Sequence, residues 1–531
     1  MEILRVEDLN FAYADQETPG EALKNIGFSL EEGELLCLCG PTGSGKSTLL
    51  RLLKREISPR GKMTGKIFIA GRNRDEMSDA EAAAEVGFVS QRPEMQIVTD
   101  KVWHELAFGL ENLCLPQNEI RRRVCEIAGY FGMESWFERS TDSLSGGQKQ
   151  LLNLASVMVM QPSLLILDEP VSQLDPIAAS DFIATIKKLC REFGISVIAA
   201  EQRLEELAAV SDRMIVMDNG RIAASGKTES CVRELLWNEK FSRYLPCAAR
   251  MYAKLMKGRD GQQNADPAPE STVPLSVSDG RRFLKEYVKT GGTDGEPNDA
   301  GVSDGPGKNA GSSKYALEFR EVYLRYGQKG EDVLKNLTLQ IKAGEIFCIL
   351  GGNGAGKSTA VCAAAGLLKP YSGKIKVFDR NIKEYRGQEL YRECVALLPQ
   401  DVQTVFLTDE INGRHPYDLS GGEQQLAALD IVLATKPMLL LLDEPTKGLD
   451  PDYAGRLRIR LKELADSGVT IVIVTHDVEF ASEVADRCAM LFRGEAVSVG
   501  NVSEFFKDNY FYTTAMNRIM RGISDGAGRA W

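Results

Sequence analysis

The sequence lacks several features that would place it in other classes of protein. No uninterrupted apolar run approaches the roughly 18 residues that a membrane span requires. The first residues, MEILRVEDLN, lack the basic and then apolar pattern of a signal peptide. A net charge of −11 argues against a nucleic-acid surface built on bulk electrostatics. We therefore expect a cytosolic protein that meets a membrane only through a partner.

Cysteine and histidine are too scattered to indicate a metal centre of their own. The eleven cysteines include no C-x-x-C pair, and there are only three histidines. Cys37 and Cys39 alternate in LLCLCG, which is typical of a buried strand. His104 opens HELAF, but a zinc motif H-E-x-x-H would need histidine where Phe108 stands. We expect reduced core cysteines without a redox or metal role.

What the sequence does contain is an internal repeat. The phosphate-loop pattern G-x-x-x-x-G-K-[ST] occurs twice, as GPTGSGKST at 40–48 and as GGNGAGKST at 351–359. Each copy is followed by LSGG and then by LDEP, which begin at Leu144 and Leu167 in the first half and at Leu419 and Leu442 in the second. One phosphate loop alone would indicate nucleotide binding, whereas this repeated order indicates a duplicated ATPase.

Both phosphate loops have the sequence context that the motif requires. Each follows an apolar strand, ELLCLCG or EIFCILG, and precedes a predicted helix, STLLRLLKRE or STAVCAAAGLL. Glycines let backbone N–H groups converge on phosphates, and the helix N-terminus adds its dipole. Lys46 and Lys357 would contact the β- and γ-phosphates, while Ser47 and Ser358 would ligate Mg²⁺. The predicted ATP-binding residues are Gly40, Pro41, Thr42, Gly43, Ser44, Gly45, Lys46, Ser47, Thr48, Gly351, Gly352, Asn353, Gly354, Ala355, Gly356, Lys357, Ser358 and Thr359.

Each LDEP motif ends a predicted buried strand with two acids. The strands LLILDEP and LLLLDEP have the apolar run of a parallel strand that is covered on both faces. The carboxyl end of such a strand is where α/β sheets bind ligands. Asp168 and Asp443 would hold Mg²⁺, and Glu169 and Glu444 would orient and deprotonate the attacking water.

With these motifs the chain resembles the ATP-binding cassette (ABC) ATPases over almost all of both halves. LSGGQ at 144–148 matches the family's signature motif, and LSGGE at 419–423 departs from it mildly. The serine of LSGG is equally suited to cap a helix. The resemblance implies that each signature faces the ATP that the other half holds. The ATP-binding residues would then include Ser145, Gly146, Gly147, Gln148, Ser420, Gly421, Gly422 and Glu423.

The resemblance assigns roles to four further positions. Gln91 and Gln400 match the family's Q-loop glutamine, which senses nucleotide, adds to the Mg²⁺ ligands and abuts the transmembrane partner. Tyr13 and Tyr326 match the aromatic residue that stacks on adenine, although either could be an ordinary strand tyrosine. These four residues complete the expected nucleotide site of each half.

The switch position separates the two halves. IVIVTHDVEFA places His476 at the family's switch histidine, whereas VIAAEQRLEEL places Gln202 there. A glutamine donates hydrogen bonds but carries no positive charge and is no acid near neutral pH. We therefore expect the site of Lys357 to hold every catalytic group and the site of Lys46 to lack one.

The resemblance implies an α/β fold with two tandem P-loop ABC nucleotide-binding domains. Each would have a mostly parallel sheet core, an antiparallel β subdomain and a helical subdomain. The expected limits are 1–237 for the first domain, 238–314 for a partly helical and then Gly/Asp-rich linker, and 315–531 for the second domain with a helical tail.

A deletion shortens the helical subdomain of the second half. Fifty-four residues separate Gln91 from Ser145, but only 20 separate Gln400 from Ser420, so the second half is shorter there by 34 residues. The first half fills this stretch with helical patterns, VWHELAFGLENL and NEIRRRVCEIAGYFGMESWF. In the family this lobe forms much of the groove for the membrane partner. The first half keeps this lobe, including Trp103, Leu106, Phe108 and Leu110 on a predicted helix, and we expect it to provide most of the grip on the partner.

Several strings are similar to one subgroup, the energy-coupling factor importers of vitamins and transition metals. They are QRPEMQIVTDKVWHELAFGLENL, EQRLEEL, PYDLSGGEQQ, EPTKGLD and FFKDNYFYTTAMNRIMRG. The resemblance implies an ATPase that uses ATP and Mg²⁺ at the cytoplasmic face of the cell membrane. Its partners would be a transmembrane coupling subunit and a small substrate-binding membrane protein, with no nucleic acid.

Other classes of double-cassette protein remain as alternatives. A soluble ATPase that acts on ribosomes would be expected to carry a long, charged helical linker and basic surfaces, and this sequence has a Gly/Asp-rich segment and negative net charge. The DNA-repair cassettes carry zinc-binding cysteine pairs, which the sequence lacks. A regulatory ATP-binding protein with degenerate sites is favoured only by Gln202 and by the deletion.

Overall fold

The computed structural model describes most of the chain, namely residues 1–14, 21–260, 272–289, 315–327, 330–406, 415–416 and 419–523. The chain divides into two compact units, Met1–Gly280 and Arg281–Trp531. The predicted glycine-rich tether from Thr290 to Ser313 lies outside the described residues. The expected domain limits at 237 and 315 stay a prediction.

The strands of the first unit are β1 (Glu2–Tyr13), β2 (Glu21–Glu31), β3 (Leu35–Cys39), β4 (Gly61–Ile69), β5 (Arg72–Asn73), β6 (Val86–Val89), β7 (Leu164–Asp168), β8 (Ser196–Ala200), β9 (Arg213–Asp218) and β10 (Arg221–Lys227). Its helices are α1 (Lys46–Leu53), α2 (Asp79–Glu85), α3 (Val102–Asn112), α4 (Gln117–Tyr130), α5 (Gly146–Met158), α6 (Pro176–Phe193), α7 (Leu207–Val210), α8 (Thr228–Leu235) and α9 (Cys247–Asp260). Helix α10 (Val277–Lys289) follows and contains the division between the units.

Two sheets form the first unit. Strands β2-β1-β4-β5 make an antiparallel sheet, and β10-β9-β3-β8-β7-β6 make a larger one. In the larger sheet β9, β3, β8, β7 and β6 are parallel, and β10 pairs antiparallel with β9. Every residue of β3, β7 and β8 is buried. Because parallel strands end at one edge, the segments after β3, β6, β7 and β8 meet there.

The strands of the second unit are β11 (Tyr315–Arg325), β12 (Asp332–Lys342), β13 (Ile346–Leu350), β14 (Ser372–Val377), β15 (Arg380–Asn381), β16 (Val395–Leu398), β17 (Leu439–Asp443), β18 (Thr470–Thr475), β19 (Arg487–Phe492) and β20 (Glu495–Asn501). Its helices are α11 (Lys357–Ala364), α12 (Gly421–Leu433), α13 (Pro451–Asp466), α14 (Val478–Val484), α15 (Val502–Asp508) and α16 (Ala515–Met520). The sheet orders, β12-β11-β14-β15 and β20-β19-β13-β18-β17-β16, repeat those of the first unit. The expected tandem α/β fold is confirmed.

The helical lobe of the first unit has its own core. Helices α3, α4 and α5 bury apolar side chains that include Val102, Leu106 and Leu110, which recur every four residues on one face of α3. Trp103 lies on the other face and is 42% exposed. Leu106 and Leu110 therefore hold the lobe together, and the docking of a membrane partner on this helix stays a prediction.

The second unit has no comparable lobe among its described residues. A short 3₁₀ turn, Val402–Val405, follows Gln400, and helix α12 begins at Gly421. Val405 and Phe406 pack partly buried against the core beside α12. Residues 407–414 and 417–418 of this stretch lie outside the described part of the chain.

No helix of the described residues is both long enough and apolar enough to cross a membrane.

We predict that Leu110→Ala destabilises the first unit by about 2–5 kcal/mol, because it removes a fully buried side chain from the lobe core and leaves a cavity. Thermal unfolding of the purified chain would measure the change. Trp103→Ala is the matched control, since this side chain is 42% exposed and its loss should cost much less. Equal destabilisation by both substitutions would contradict the assignment of the core face.

Candidate functional site

The two phosphate loops have the same internal hydrogen bonds. In the first, Lys46 Nζ donates to the carbonyl oxygens of Gly40 at 2.6 Å and Pro41 at 3.0 Å. In the second, Lys357 Nζ donates to Gly351 O at 2.9 Å and to the next carbonyl at 3.2 Å. Each lysine is the first residue of a helix and is buried. The amines therefore point into the loops, where a phosphate would replace the carbonyls as their partner.

A close backbone approach requires the first glycine of each loop. A Cβ at Gly40 would lie 2.2 Å from Met217 O, and one at Gly351 would lie 2.4 Å from Leu491 O. Met217 lies on β9 and Leu491 lies on β19, and these strands pair with β3 and β13, which precede the two loops. In the first loop the buried Ser44 Oγ has no hydrogen-bond partner among the described residues. These features fit a loop that is shaped to hold phosphate oxygens.

In both units the serine and the aspartate predicted to bind magnesium meet. Ser47 Oγ donates to Asp168 Oδ1 at 3.1 Å, and Ser358 Oγ donates to Asp443 Oδ1 at 3.0 Å. Burial raises the pKa of Asp168, and the hydrogen bond from Ser47 opposes the rise. Burial likewise raises the pKa of Asp443, against the opposing effect of Ser358. A hydroxyl and a carboxylate are the hard oxygen ligands that Mg²⁺ prefers, so the residues fit this ion.

The glutamate after each strand has an unusual backbone. Glu169 has φ +48° and Glu444 has φ +51°, a left-handed conformation that is uncommon for residues other than glycine. A backbone hydrogen bond to the neighbouring strand holds each turn, from Glu169 N to Ala200 O at 3.0 Å and from Glu444 N to Val474 O at 2.8 Å. In each unit the strained turn fixes the carboxylate at the sheet edge where the phosphate loop begins.

In the first unit two amides hold the predicted general base. Gln91 Nε2 donates to Glu169 Oε2 at 2.7 Å, and Gln202 Nε2 donates to Glu169 Oε1. Gln173 Nε2 in turn donates to Gln91 O at 3.1 Å, which fixes the loop that carries Gln91. The structure therefore brings together three residues that the sequence predicted for catalysis. Gln91 and Gln202 thus approach the carboxylate as neutral amides.

In the second unit a hydroxyl, an imidazole and an amine surround the predicted general base, Glu444. Thr475 Oγ1 donates to Glu444 Oε2 at 3.1 Å, and His476 Nδ1 lies 2.9 Å from the same oxygen, in poor hydrogen-bond alignment. Lys357 Nζ lies 3.7 Å from Glu444 Oε1. Burial acts to raise the pKa of Glu444, but His476 and Lys357 outweigh it and hold this pKa below its usual value. Gln400 is exposed, and no hydrogen bond joins it to Glu444 in the described structure.

The signature serines cap helices in both units. Ser145 Oγ accepts from Gln148 N at 3.3 Å, and Gln148 Oε1 accepts from Ser145 N at 3.0 Å. Ser420 and Glu423 form the same box at the start of α12. A serine followed three residues later by Glu or Gln is the usual capping box. The local role of LSGG is thus explained within each unit, and its predicted contact with ATP stays a prediction.

The tyrosines expected to stack on adenine contact the phosphate-loop helices. Tyr13 OH lies 2.7 Å from Thr48 Oγ1, and Tyr326 OH lies 3.0 Å from Thr359 Oγ1. The Tyr326 ring is 58% exposed beside its loop. Both positions place an aromatic ring beside the phosphate site, and stacking on adenine stays a prediction.

Sequence reasoning missed two groups next to the bases. Thr475 was unassigned although it directly precedes His476, and its hydroxyl bonds to Glu444. Glu201 holds the corresponding place before Gln202, where its buried Oε1 accepts from Val171 N at 3.1 Å. Burial, and then the neighbouring Glu169 carboxylate, raise the pKa of Glu201 to about 8. Aligning the two halves at the switch position would have indicated both residues.

Comparisons with known proteins agree with this geometry. A sequence profile described as ABC transporter matches residues 23–172 and 334–412, and an AAA-domain profile matches residues 406–482. A Bacillus anthracis protein named as an ABC transporter ATP-binding protein is 37% identical over 547 residues, which cover 97% of this chain and 95% of that protein. A Streptomyces coelicolor protein of the same description is 30% identical and covers 98% of this chain and 97% of its own length.

Solved structures show more limited likeness. The structure of cbiO1 from Clostridium perfringens, described as part of the ABC transporter complex cbiONQ, is 30% identical with a TM-score of 0.41. It covers 48% of this chain and 99% of its own.

We predict that Glu444→Gln weakens the dependence of stability on acid pH. Because the folded-state pKa of Glu444 is lowered from 4.5, its stabilising contribution is complete above that pH and is lost as the pH falls through the lower folded value. Thermal unfolding from about pH 6 down to about pH 3 measures the slope. Glu483→Gln serves as the control, since this side chain is 50% exposed. An unchanged slope for Glu444→Gln would refute the argument.

Proposed function

The chain belongs to the ABC transporter ATP-binding proteins, and from this premise we propose that it is the ATPase subunit of an energy-coupling factor importer. The importer takes up a vitamin or a transition metal. The chain works at the cytoplasmic face of the membrane with a transmembrane coupling subunit and a small substrate-binding membrane protein. The motif strings that resemble this subgroup support the proposal.

ATP binding uses equivalent residues in the two units. Lys46 and Lys357 turn from the loop carbonyls to the β- and γ-phosphates, and the loop N–H groups hold the remaining oxygens. Mg²⁺ fits the hydroxyl and carboxylate pairs described above, with Gln91 and Gln400 as further ligands. When bound, it neutralises charge that develops on the phosphate oxygens. The observation that supports this most directly is the repeated serine–aspartate contact, at 3.1 and 3.0 Å.

The two units hydrolyse ATP at unequal rates. Glu444 takes the proton of the attacking water, and His476 at 2.9 Å orients the carboxylate and supplies a group that can carry positive charge. Glu169 has the same place in the first unit, but Gln91 and Gln202 hold it with neutral amides. An amide orients a carboxylate without adding charge near the phosphate. The second unit therefore carries most of the turnover.

The membrane partner binds mainly to the first unit. Its helical lobe is folded around its own core and presents the half-exposed Trp103 on the outer face of α3. Large aromatic side chains are frequent anchors of protein interfaces. The described part of the second unit offers only the turn Val402–Val405 at this place, and Val405 packs against the core.

We predict that Glu444→Gln lowers steady-state ATP hydrolysis far more than Glu169→Gln does. Loss of a general base costs about 10²- to 10⁴-fold at the site concerned, and the second unit carries most of the rate. Both variants keep a side chain of the same shape, which makes them matched controls for each other. Phosphate release from the purified full chain measures the rates.

The reciprocal substitution tests the cause of the asymmetry. Gln202→His should raise turnover, because it gives the first unit a group that can carry positive charge beside Glu169. Equal losses from the two glutamate substitutions would show that the sites are equivalent and would refute the proposal.

We predict that Trp103→Glu releases a polytopic membrane protein that otherwise co-purifies with the tagged chain from detergent-solubilised host membranes. A charge at this position opposes burial in an apolar interface. Mass spectrometry of the purified fraction gives the measurement. Phe492→Glu is the control, because this aromatic side chain is 55% exposed on the strand β19 of the other unit.

One result would overturn the transport proposal, and another would overturn the proposal that the partner binds mainly to the first unit. The first is recovery of the tagged chain with ribosomes and without any membrane protein. The second is release of the membrane protein by Phe492→Glu to the same extent as by Trp103→Glu, which would show that the first unit has no special share in docking.

A further inference from the structure

A hydrogen bond ties the tail of the second unit to the segment after the switch residue. Glu479 Oε1 accepts from the backbone N–H of Ala515 at 2.6 Å. Glu479 lies in the first turn of α14, three residues after His476, and Ala515 is the first residue of α16. The first N–H groups of a helix have no partner inside the helix, so an external carboxylate satisfies one of them. The helix dipole adds to this attraction.

The same bond occurs in the first unit. Glu205 Oε1 accepts from the backbone N–H of Cys247 at 2.7 Å. Glu205 lies three residues after Gln202, and Cys247 is the first residue of α9. The spacing of three residues from the switch position to the glutamate is therefore the same in both units. In both, the glutamate bonds to the first residue of a later helix, which lies 42 residues on in the first unit and 36 in the second.

The two tail helices correspond to each other beyond the donor residue. An arginine follows the donor by three residues, at Arg250 and Arg518, and a fully buried apolar residue follows by four, at Met251 and Ile519. Both helices therefore carry a fully buried side chain one turn after the donor N–H. The bond from the glutamate to the tail helix therefore belongs to the duplicated architecture and is found in both copies.

A short and stiff path joins the bond to the switch residue of the second unit. Asp477 follows His476 and caps α14, with Oδ1 accepting from Phe480 N at 3.1 Å. Phe480 is buried in the core beside the aromatic residues of α15. A shift of the first turn of α14 therefore moves the backbone of His476. The backbone N–H of His476 donates to Glu444 Oε2 at 3.3 Å, so the shift also changes this hydrogen bond.

We propose that Glu479 is a positioning residue for hydrolysis: by binding the tail helix α16 it fixes α14 and, through it, the place of His476 against Glu444. Glu205 has the same part in the first unit. A bond between a carboxylate and a backbone N–H is charge-assisted and stronger than a neutral one. This inference rests on the proposed function in taking His476 as the switch residue.

The first test compares substitutions at Glu479 in the full chain. Glu479→Ala should lower kcat about tenfold, because a misplaced catalytic group costs rate even when the shift is small. The KM for ATP and the equilibrium affinity for ATP should stay within about twofold, since the phosphate loop is untouched. Glu479→Gln keeps an oxygen acceptor and should restore most of kcat. Glu483→Ala is the control on the same helix, where the carboxylate pairs with Arg458 instead.

The second variant removes the donor and leaves the glutamate in place. Ala515→Pro deletes the N–H at the first position of a helix, where proline is well tolerated. Thr514 before it has φ −66° and ψ 155°, the extended conformation that precedes proline. This variant should lower kcat as Glu479→Ala does, and it keeps the proposal testable if Glu479→Ala fails to fold.

The outcomes separate this inference from the proposed function. In a His476→Ala background Glu479→Ala should cause no further loss of kcat, because its effect runs through His476. If His476→Ala alone leaves kcat unchanged, the switch assignment in the proposed function is wrong. If His476→Ala lowers kcat but Glu479→Ala and Ala515→Pro do not, the positioning role alone is wrong. An equal loss from Glu483→Ala, or a loss in ATP affinity that matches the loss in kcat, would also overturn it.

Discussion

The backbone hydrogen bond from the glutamate of LDEP to the neighbouring strand is the interaction on which both sites depend. It joins Glu169 N to Ala200 O and Glu444 N to Val474 O, and it holds each glutamate at a positive φ. In the first unit the acids follow β7 and the switch residue follows β8, the strand between β7 and β3. The bond from Glu169 to β8 therefore sets the distance from the acids to the switch residue. The phosphate loop after β3 lies on the other side of the same strand. One bond thus fixes the acids relative to two further catalytic segments.

The same backbone frame carries different chemistry in the two units. Gln202 and His476 occupy equivalent places after β8 and β18, and each contacts the carboxylate of the glutamate in its unit. The residue before them also differs, since Glu201 stands where the other unit has Thr475. A hydroxyl donates to the base, whereas a second buried acid beside it raises the cost of a negative charge. Side chains, and not the fold, therefore make the sites unequal.

Much of the fold and of the site could be predicted from the sequence because the motifs are local. The phosphate loops, the LDEP strands and the lobe helices each depend on a continuous stretch with a clear period. The contacts that cross the fold could not be predicted in this way. The bond from Gln91 to Glu169 joins residues 78 apart in the chain. The burial of Leu106 and Leu110 inside the lobe could not be predicted either, because helical spacing shows that a face is apolar but not what covers it.

The tail helices α9 and α16 show which contacts the two units share although their sequences differ. Glu205 and Glu479 bond to the first N–H of their tail helices at 2.7 and 2.6 Å, although the helices have different lengths. The carbonyl contacts that require Gly40 and Gly351 likewise occur in both units, at 2.2 and 2.4 Å. These backbone contacts set the positions of catalytic segments, so a change in any of them would disturb a whole site. The switch side chain and the helical lobe can differ because neither one holds the sheet together.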